Sequence, residues 1–271
     1  MNRLPVPNLI LRHFLAIVAA LLLVQSPAAG EPRVPEPLIA ESLGRVVEIV
    51  DGDSLVLEDE RRVRLVGLQA PKLPLGRPNF EPWPLSDEAK AALADLTLGE
   101  EVILAHGGRR EDRHGRRLAH LFLEDGTWVQ EEMLRRGLAR VYSFADNRAL
   151  VDRLLRVERE ARADRRGIWS DPFYAVRTPA QLHDEIGTFQ IVEGRVLNVN
   201  EVRGRVFIDL EEDWRDGFSL SLAPAVRRDF ESGGIDVDSY EGKLVRVRGW
   251  VSSYNGPRME PTHPEQIEVF E

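Results

Sequence analysis

The stretch that decides the fold begins Val50-Asp51-Gly52-Asp53-Ser54-Leu55-Val56-Leu57 and ends Val63-Arg64-Leu65-Val66-Gly67-Leu68-Gln69-Ala70-Pro71-Lys72. Asp51-Gly52 is a turn signal between two runs of β-type alternation. Arg45 to Val50 leads into it, and Ser54 to Leu57 leads out. Glu58-Asp59-Glu60-Arg61 is a polar turn, and Arg62 to Leu68 resumes a strand. Three short strands joined by tight turns make a β-meander. Its first turn carries two aspartates and its third strand an arginine.

Outward from the meander the character changes twice. Pro71 to Pro84 carries five prolines and the aromatics Phe80 and Trp83, a stiff irregular loop. It reads equally as a functional loop or as a lid plugged by those two rings. Ser86 then stands at a helix N-cap position, with Asp87 and Glu88 in the first turn. A helix is expected to Leu96, strands at 101–105 and 118–123, and helices at 129–138 and 150–165. Gly167-Ile168-Trp169-Ser170 closes this region.

After Asp171-Pro172 the chain is again strand-rich. Runs at 190–197, 206–210, 218–222, 243–251 and 266–270 alternate, with a short helical interruption after Ala225. Five short strands with one helical break predict a small OB-type barrel. The domain reading is therefore 1–30, 31–43 as a Pro-rich linker, 44–170, 171–188 as a second linker, and 189–271.

Residues 1–30 have the three-part pattern of a signal peptide. Arg3 and Arg12 are positive, Phe14 to Val24 is an unbroken run of eleven apolar residues, and Pro27-Ala28-Ala29-Gly30 is small. Eleven is short for a membrane span, which needs about 20. Export to the periplasm or medium is expected, with no membrane span after cleavage; an uncleaved N-terminal anchor is the alternative. The chain has no cysteine, which excludes thiol catalysis, disulfides and thiolate metal sites. Formal charge is −9. Residues 44–170 hold 22 Lys+Arg against 23 Asp+Glu, and residues 171–271 hold 11 against 19. The global field repels polyanions, so a nucleic acid must be held by local arginine clusters. The acidic second region suits a protein partner at least as well.

A second cluster, Asp112-Arg113-His114-Gly115-Arg116, completes an ordered set: the Asp-Gly-Asp turn, the strand arginine, the proline after it, the Gly-Arg pair, Gly137-Leu138-Ala139 after a helix, and Gly167-Ile168-Trp169-Ser170. Over about residues 44–170 this set resembles the staphylococcal-nuclease-like (thermonuclease) family. The resemblance implies a mainly β fold with α (α+β): an OB barrel with packing helices, here followed by the second, smaller OB-like barrel. The later wording around Glu193-Gly194-Arg195-Val196 and Glu241-Gly242-Lys243 resembles nucleic-acid-binding OB modules more weakly.

The family's chemistry, as the resemblance implies it, uses two aspartates for calcium, a glutamate for the attacking water and two arginines on the phosphate. Asp53 falls at the first calcium aspartate, beside Asp51. Arg64 and Arg116 fall at the two arginines, and Tyr142 at an aromatic near the bound nucleotide. Gln69 replaces the second aspartate, Ala70 the adjacent threonine, and Lys72 the catalytic glutamate. Calcium takes about 6–8 oxygens, with affinity set by charged ligands; here the ligand pair loses one negative charge and Lys72 adds a positive one. Calcium is the sole cofactor implied, and its hydrolysis is expected to be severely weakened or absent. Three readings follow: a binder of nucleic acid or nucleotide phosphates through Arg64, Lys72, Arg116 and Tyr142; a nuclease with a rearranged site, Glu81 or Glu88 supplying the missing carboxylate; or an envelope interaction module using both barrels as scaffolds. Arg246 and Arg248, with Tyr254 nearby, are a candidate second nucleic-acid surface.

Overall fold

The computed structural model describes Met1 and residues 34–270 except Trp214. The signal segment and possible anchor lie outside the described residues. Among the described residues no helix is long and apolar enough to cross a membrane.

The meander forms as expected. Strand β1 (Ile39–Asp51), β2 (Ser54–Leu57) and β3 (Arg62–Leu65) pair antiparallel in sequence order. Asp53 N–H donates to Asp51 Oδ1 at 3.1 Å, which tightens the β1–β2 turn. Gly52 is required there, because a Cβ would lie 2.7 Å from Ala70 Cβ and 2.8 Å from Ala89 Cβ. Strand β4 (Gly67–Gln69) leaves the sheet, and helix α1 (Ser86–Thr97) follows the Pro-rich loop. Strands β5 (Glu101–His106) and β6 (Arg117–Phe122) close a barrel of order β1-β2-β3-β6-β5, with β3 and β6 parallel. Helix α2 (Val129–Arg135), strand β7 (Arg140–Tyr142) and helix α3 (Val151–Ala163) complete this region, β7 pairing with β4.

Several expectations shift. Strand β1 begins at Ile39, inside the stretch read as a linker, because Ile39 to Arg45 pairs with β5. The N-cap of α1 is Leu85 in a left-handed conformation, and Ser86 is its first helical residue. Leu85 packs with Trp83 against Trp169 and Tyr174, which takes the cap position from Ser86. Helix α2 stops early, and Gly137 turns the chain at φ +68°.

Residues 171–188 are folded onto the structure, not strung between two bodies. They form short 3-10 segments at Pro172–Tyr174 and Pro179–Glu185, with Tyr174 and Leu182 buried. The second region contains β8 (Phe189–Arg195), β9 (Asn198–Val202), β10 (Arg205–Asp209), β11 (Ser219–Leu222), helix α4 (Pro224–Ser232), β12 (Leu244–Trp250), β13 (Ser252–Ser253), β14 (Pro257–Met259) and β15 (Ile267–Phe270). Its strands pair in two sheets, β13-β14-β11-β10-β9 and β15-β12-β8. The strand sequence still follows the first barrel's plan. Its third strand, β11, meets β14 in parallel, as β3 meets β6. Interruptions between β8 and β9, and between β14 and β15, divide the ring.

Pro32–Glu271 is one compact unit. Each region has its own apolar core, and a third cluster joins them: Ala161, Ile168, Trp169 and Tyr174 against Phe189 and Ile191. Beside it lies a buried ion network. Arg248 of β12, 1% exposed, donates to Glu158 of α3 at 3.0 Å through both terminal nitrogens and to Glu268 of β15 at 2.8 Å. Buried charges are costly unless paired; here α3, β12 and β15 supply one another's partners, although Arg248 Nε itself has none.

Candidate functional site

The β1–β2 turn, the end of β3, the start of the Pro-rich loop and the β5–β6 loop converge at one mouth of the barrel. Asp53 is fully buried at the centre. Its Oδ2 accepts from Ala70 N–H at 2.9 Å and from Lys72 Nζ at 2.6 Å. Its Oδ1 pairs with Arg64 Nη1 and accepts from Ser54 Oγ at 3.3 Å. Lys72 Nζ also lies 3.5 Å from Asp51 Oδ2. Register places these groups: Ser54 sits opposite Arg64 in the β2–β3 ladder, and Arg64 opposite Leu118 on β6. Arg64 Nη2 donates to Leu68 O at 3.2 Å, which holds the guanidinium against the β4 backbone.

Burial draws the Arg64 guanidinium down to about 10, against the pull of Asp51. Burial, and then the like charge of Arg64, draws the Lys72 ammonium from its ordinary 10.5 to about 7, while Asp51 resists. Desolvation of a cation acts in this direction.

Arg116 is gripped by Asp112. Its Nε and Nη2 lie 2.8 and 2.7 Å from Asp112 Oδ2, and its backbone N–H donates to Oδ1 at 3.0 Å. Burial pushes the Asp112 carboxyl up, but hydrogen bonds from Arg116 and from His114 N–H leave it below the usual range. Gln69 is turned toward the protein: its Oε1 accepts from Arg140 Nε at 3.0 Å and Nη2 at 2.8 Å. Tyr142 Oη accepts from Trp250 Nε1 at 3.0 Å.

These groups border a cavity of about 740 Å³, within the range of small-ligand sites. Asp51, Arg64, Gln69, Lys72, Arg116 and Tyr142 all line it, with Asp53 beneath. Arg77, Arg109 and Arg113 add a basic rim. Neither Glu81 nor Glu88 is among the lining residues, and both are exposed. The Pro-rich loop divides its work: Leu75 and Arg77 reach the cavity, while Trp83 packs 5.5 Å from Phe173 as a plug.

Calcium does not fit this donor set. Both Asp53 oxygens are taken by cations and N–H or O–H donors, the Gln69 oxygen is taken by Arg140, and an ammonium sits between the two aspartates. Among the described residues no cluster of three or more His, Asp or Glu side chains is placed to hold a metal.

The second candidate surface is corrected. Arg248 is buried in its ion network, and Arg246 Nη2 is paired with Glu193 at 2.5 Å. Arg248 is covered by α3 and is not available to a phosphate, and Arg246 is held by Glu193 on β8 and by the Phe270 ring. Sequence reasoning quoted Asp112 without giving it a role and missed Arg140, Phe144 and Trp250. Only Phe144 left a usable signal, since period-2 spacing from Tyr142 puts both rings on one face.

Residues 62–171 match the family described as staphylococcal nuclease homologue. An uncharacterized endonuclease of Escherichia coli is 34% identical over 137 residues, spanning 49% of this chain and 81% of that protein. Endonuclease YncB of Bacillus subtilis (strain 168) is 32% identical over 155 residues, 54% of this chain and 70% of that protein. The thermonuclease of Staphylococcus hyicus is 25% identical over 134 residues, 48% of this chain and 78% of that protein. The family match ends at residue 171, so the second region rests on geometry alone. With its closed barrel, its Asp-Gly-Asp turn and relatives named as nucleases, the chain belongs to the staphylococcal nuclease homologue family, and its first region is a nuclease-like domain.

Proposed function

We propose that the chain binds nucleic acid or nucleotide phosphates in this cavity without calcium, and that calcium-dependent phosphodiester hydrolysis is lost or nearly so. One observation carries the reading. Lys72 Nζ stands 2.6 Å from Asp53 and 3.5 Å from Asp51, supplying as a side chain the positive charge a metal would bring. With Arg64 and Arg116 on the same cavity, the site offers three cations to a phosphate, while of the lining aspartates Asp51 faces Lys72, Asp112 is held by Arg116 and Asp146 lies 3.7 Å from Arg109. Missing general-base assistance costs typically about 10²–10⁴ in rate. Export is part of the proposal and rests on the pattern of residues 1–30.

The test uses single-stranded DNA and full-length protein. Binding is expected to be equal in chelator and in calcium, to weaken with salt, and to have a shallower salt slope in Arg116→Ala, by roughly 0.7 for one lost phosphate contact. Robust calcium-dependent cleavage that Asp53→Ala abolishes would overturn the reading, as would binding indifferent to salt.

A rearranged nuclease site has one observation in its favour. An amine lowered to about 7 by burial can accept a proton near neutrality. Metal-independent cleavage, lost in Lys72→Arg while binding persists, would establish it.

A further inference from the structure

The cavity has a wall that the first region does not supply. Trp250, the last residue of β12, lines it together with Phe144 and Tyr142. Trp250 and Phe144 are each 53% exposed, unusual for large rings in a folded chain that has two apolar cores to receive them. Tyr142 fixes both. It meets Phe144 edge-on, with centroids 4.9 Å apart, and accepts the Trp250 indole N–H at 3.0 Å. Behind them Phe189 meets Tyr142 at 4.8 Å and Trp250 at 6.4 Å. The indole is therefore held by a hydrogen bond on its edge and by packing from Phe189, while half of its surface stays open beside the cationic cavity.

A rigid exposed ring next to Arg64, Lys72 and Arg116 has the chemistry of a base-stacking platform. A base offers a π-face to any aromatic ring, and stacking is indifferent to base identity. In a duplex those faces are covered by neighbouring bases, so a platform of this kind takes unstacked, single-stranded nucleotides. We infer that Trp250, with Phe144, stacks the nucleobase of a single-stranded nucleotide whose phosphate lies in the cavity, so that the second region completes the binding site of the first. The inference rests on the phosphate-binding reading and adds to it a base-stacking ring supplied from beyond the family match.

The experiment compares a single-stranded DNA dodecamer with its fully abasic counterpart, which has the same charge, by fluorescence anisotropy on full-length protein. The wild type is expected to prefer the base-bearing strand by about tenfold to a hundredfold, from the usual worth of one or two stacked bases. Trp250→Ala and Phe144→Ala should each shrink that preference by about fivefold or more while leaving abasic affinity within twofold. Trp250→Phe, which keeps a ring but loses the N–H, should retain most of the preference. Equal wild-type affinity for both strands overturns the inference and leaves phosphate binding standing. So does an equal loss on both strands in Trp250→Ala, which marks the indole as structural. No affinity for either strand overturns both readings.

Discussion

Lys72 links binding to pH in a way that separates its role from that of the arginines. With its ammonium drawn to about 7, Lys72 is charged below that pH and loses its charge as pH rises through it. Phosphodiesters do not titrate in this range, so a DNA strand stays a constant probe. If binding requires charged Lys72, affinity follows the charged fraction, about nine-tenths at pH 6 and one-tenth at pH 8, an approximately tenfold fall. Stability should move the opposite way. The folded value lies below the ordinary 10.5, so the unfolded chain holds more protons between about 7 and 10.5, and this group adds stability as pH rises through that window, at most about 1.4 kcal/mol per pH unit. The assay is anisotropy of a single-stranded dodecamer from pH 6 to 8, beside urea denaturation from pH 7 to 10. Asp51, Asp53, Arg64 and Arg116 face the ammonium. His114 also lines the cavity, so His114→Gln is the control. Lys72→Arg keeps a cation that does not titrate there, and its binding curve should be flat. A flat wild-type curve, or an equal slope in Lys72→Arg, refutes the reasoning.

Three other outcomes follow from the geometry. Arg248→Met removes the guanidinium shared by Glu158 and Glu268, which keep Arg162 and Arg159, so urea denaturation should register a loss smaller than the about 3–5 kcal/mol of a fully orphaned buried charge. Gly137→Ala places a Cβ 2.2 Å from Arg166 O at a φ of +68°, so thermal and urea unfolding should report a loss of about 2–4 kcal/mol. Gln69→Asp/Lys72→Glu restores two carboxylates, yet calorimetry should detect calcium binding only when Arg140→Gln is added, because Arg140 captures an oxygen at position 69; calcium binding by the double variant alone would show that Arg140 is no barrier.

What could be read from sequence is what local chemistry determines. The Asp51-Gly52 turn closes on its own hydrogen bond, and the meander's alternation sets its register within a few residues. Arg64, Lys72 and Arg116 were legible because their motifs keep a fixed order along the chain. Gln69 was singled out as a departure, but its partner Arg140 lies 71 positions away and carries no local signal. On β12 the alternation of apolar and basic residues reads as a half-exposed strand. The structure buries Arg248 because a carboxylate 90 positions earlier, on α3, neutralises it. The division of the second region into two sheets was not legible because interruptions leave no mark in alternation: β9 is largely exposed and polar, and β13 has two residues.

The departures at 69 and 72 and the presence of a second region are physically coupled. Arg140 is almost wholly buried, and its nearest hydrogen-bond acceptor is the neutral oxygen of Gln69. Burial draws the guanidinium to about 10, with Tyr174 and Glu158 supporting its charge. Its remaining cover is aromatic: the ring of Phe189 at 4.5 Å, Trp83 at 5.6 Å and Tyr174 at 6.0 Å. Cation–π contacts of this kind gain strength when water is excluded. Phe189 opens the second region and Tyr174 belongs to the segment leading into it, so two of the three rings that cover Arg140, the nearest included, lie beyond the family match. A sealed Arg140 in turn holds the position-69 oxygen away from the cavity. Removing that oxygen from a metal's reach leaves Asp53 short of positive charge, and Lys72 provides it at 2.6 Å. Phe189 also backs Tyr142 and Trp250, so the contact that removes the metal's ligand is continuous with the one that adds an aromatic wall. A change at Phe189, such as Phe189→Ala, should therefore disturb the cavity at both ends: Arg140 loses its nearest ring and Trp250 loses its backing.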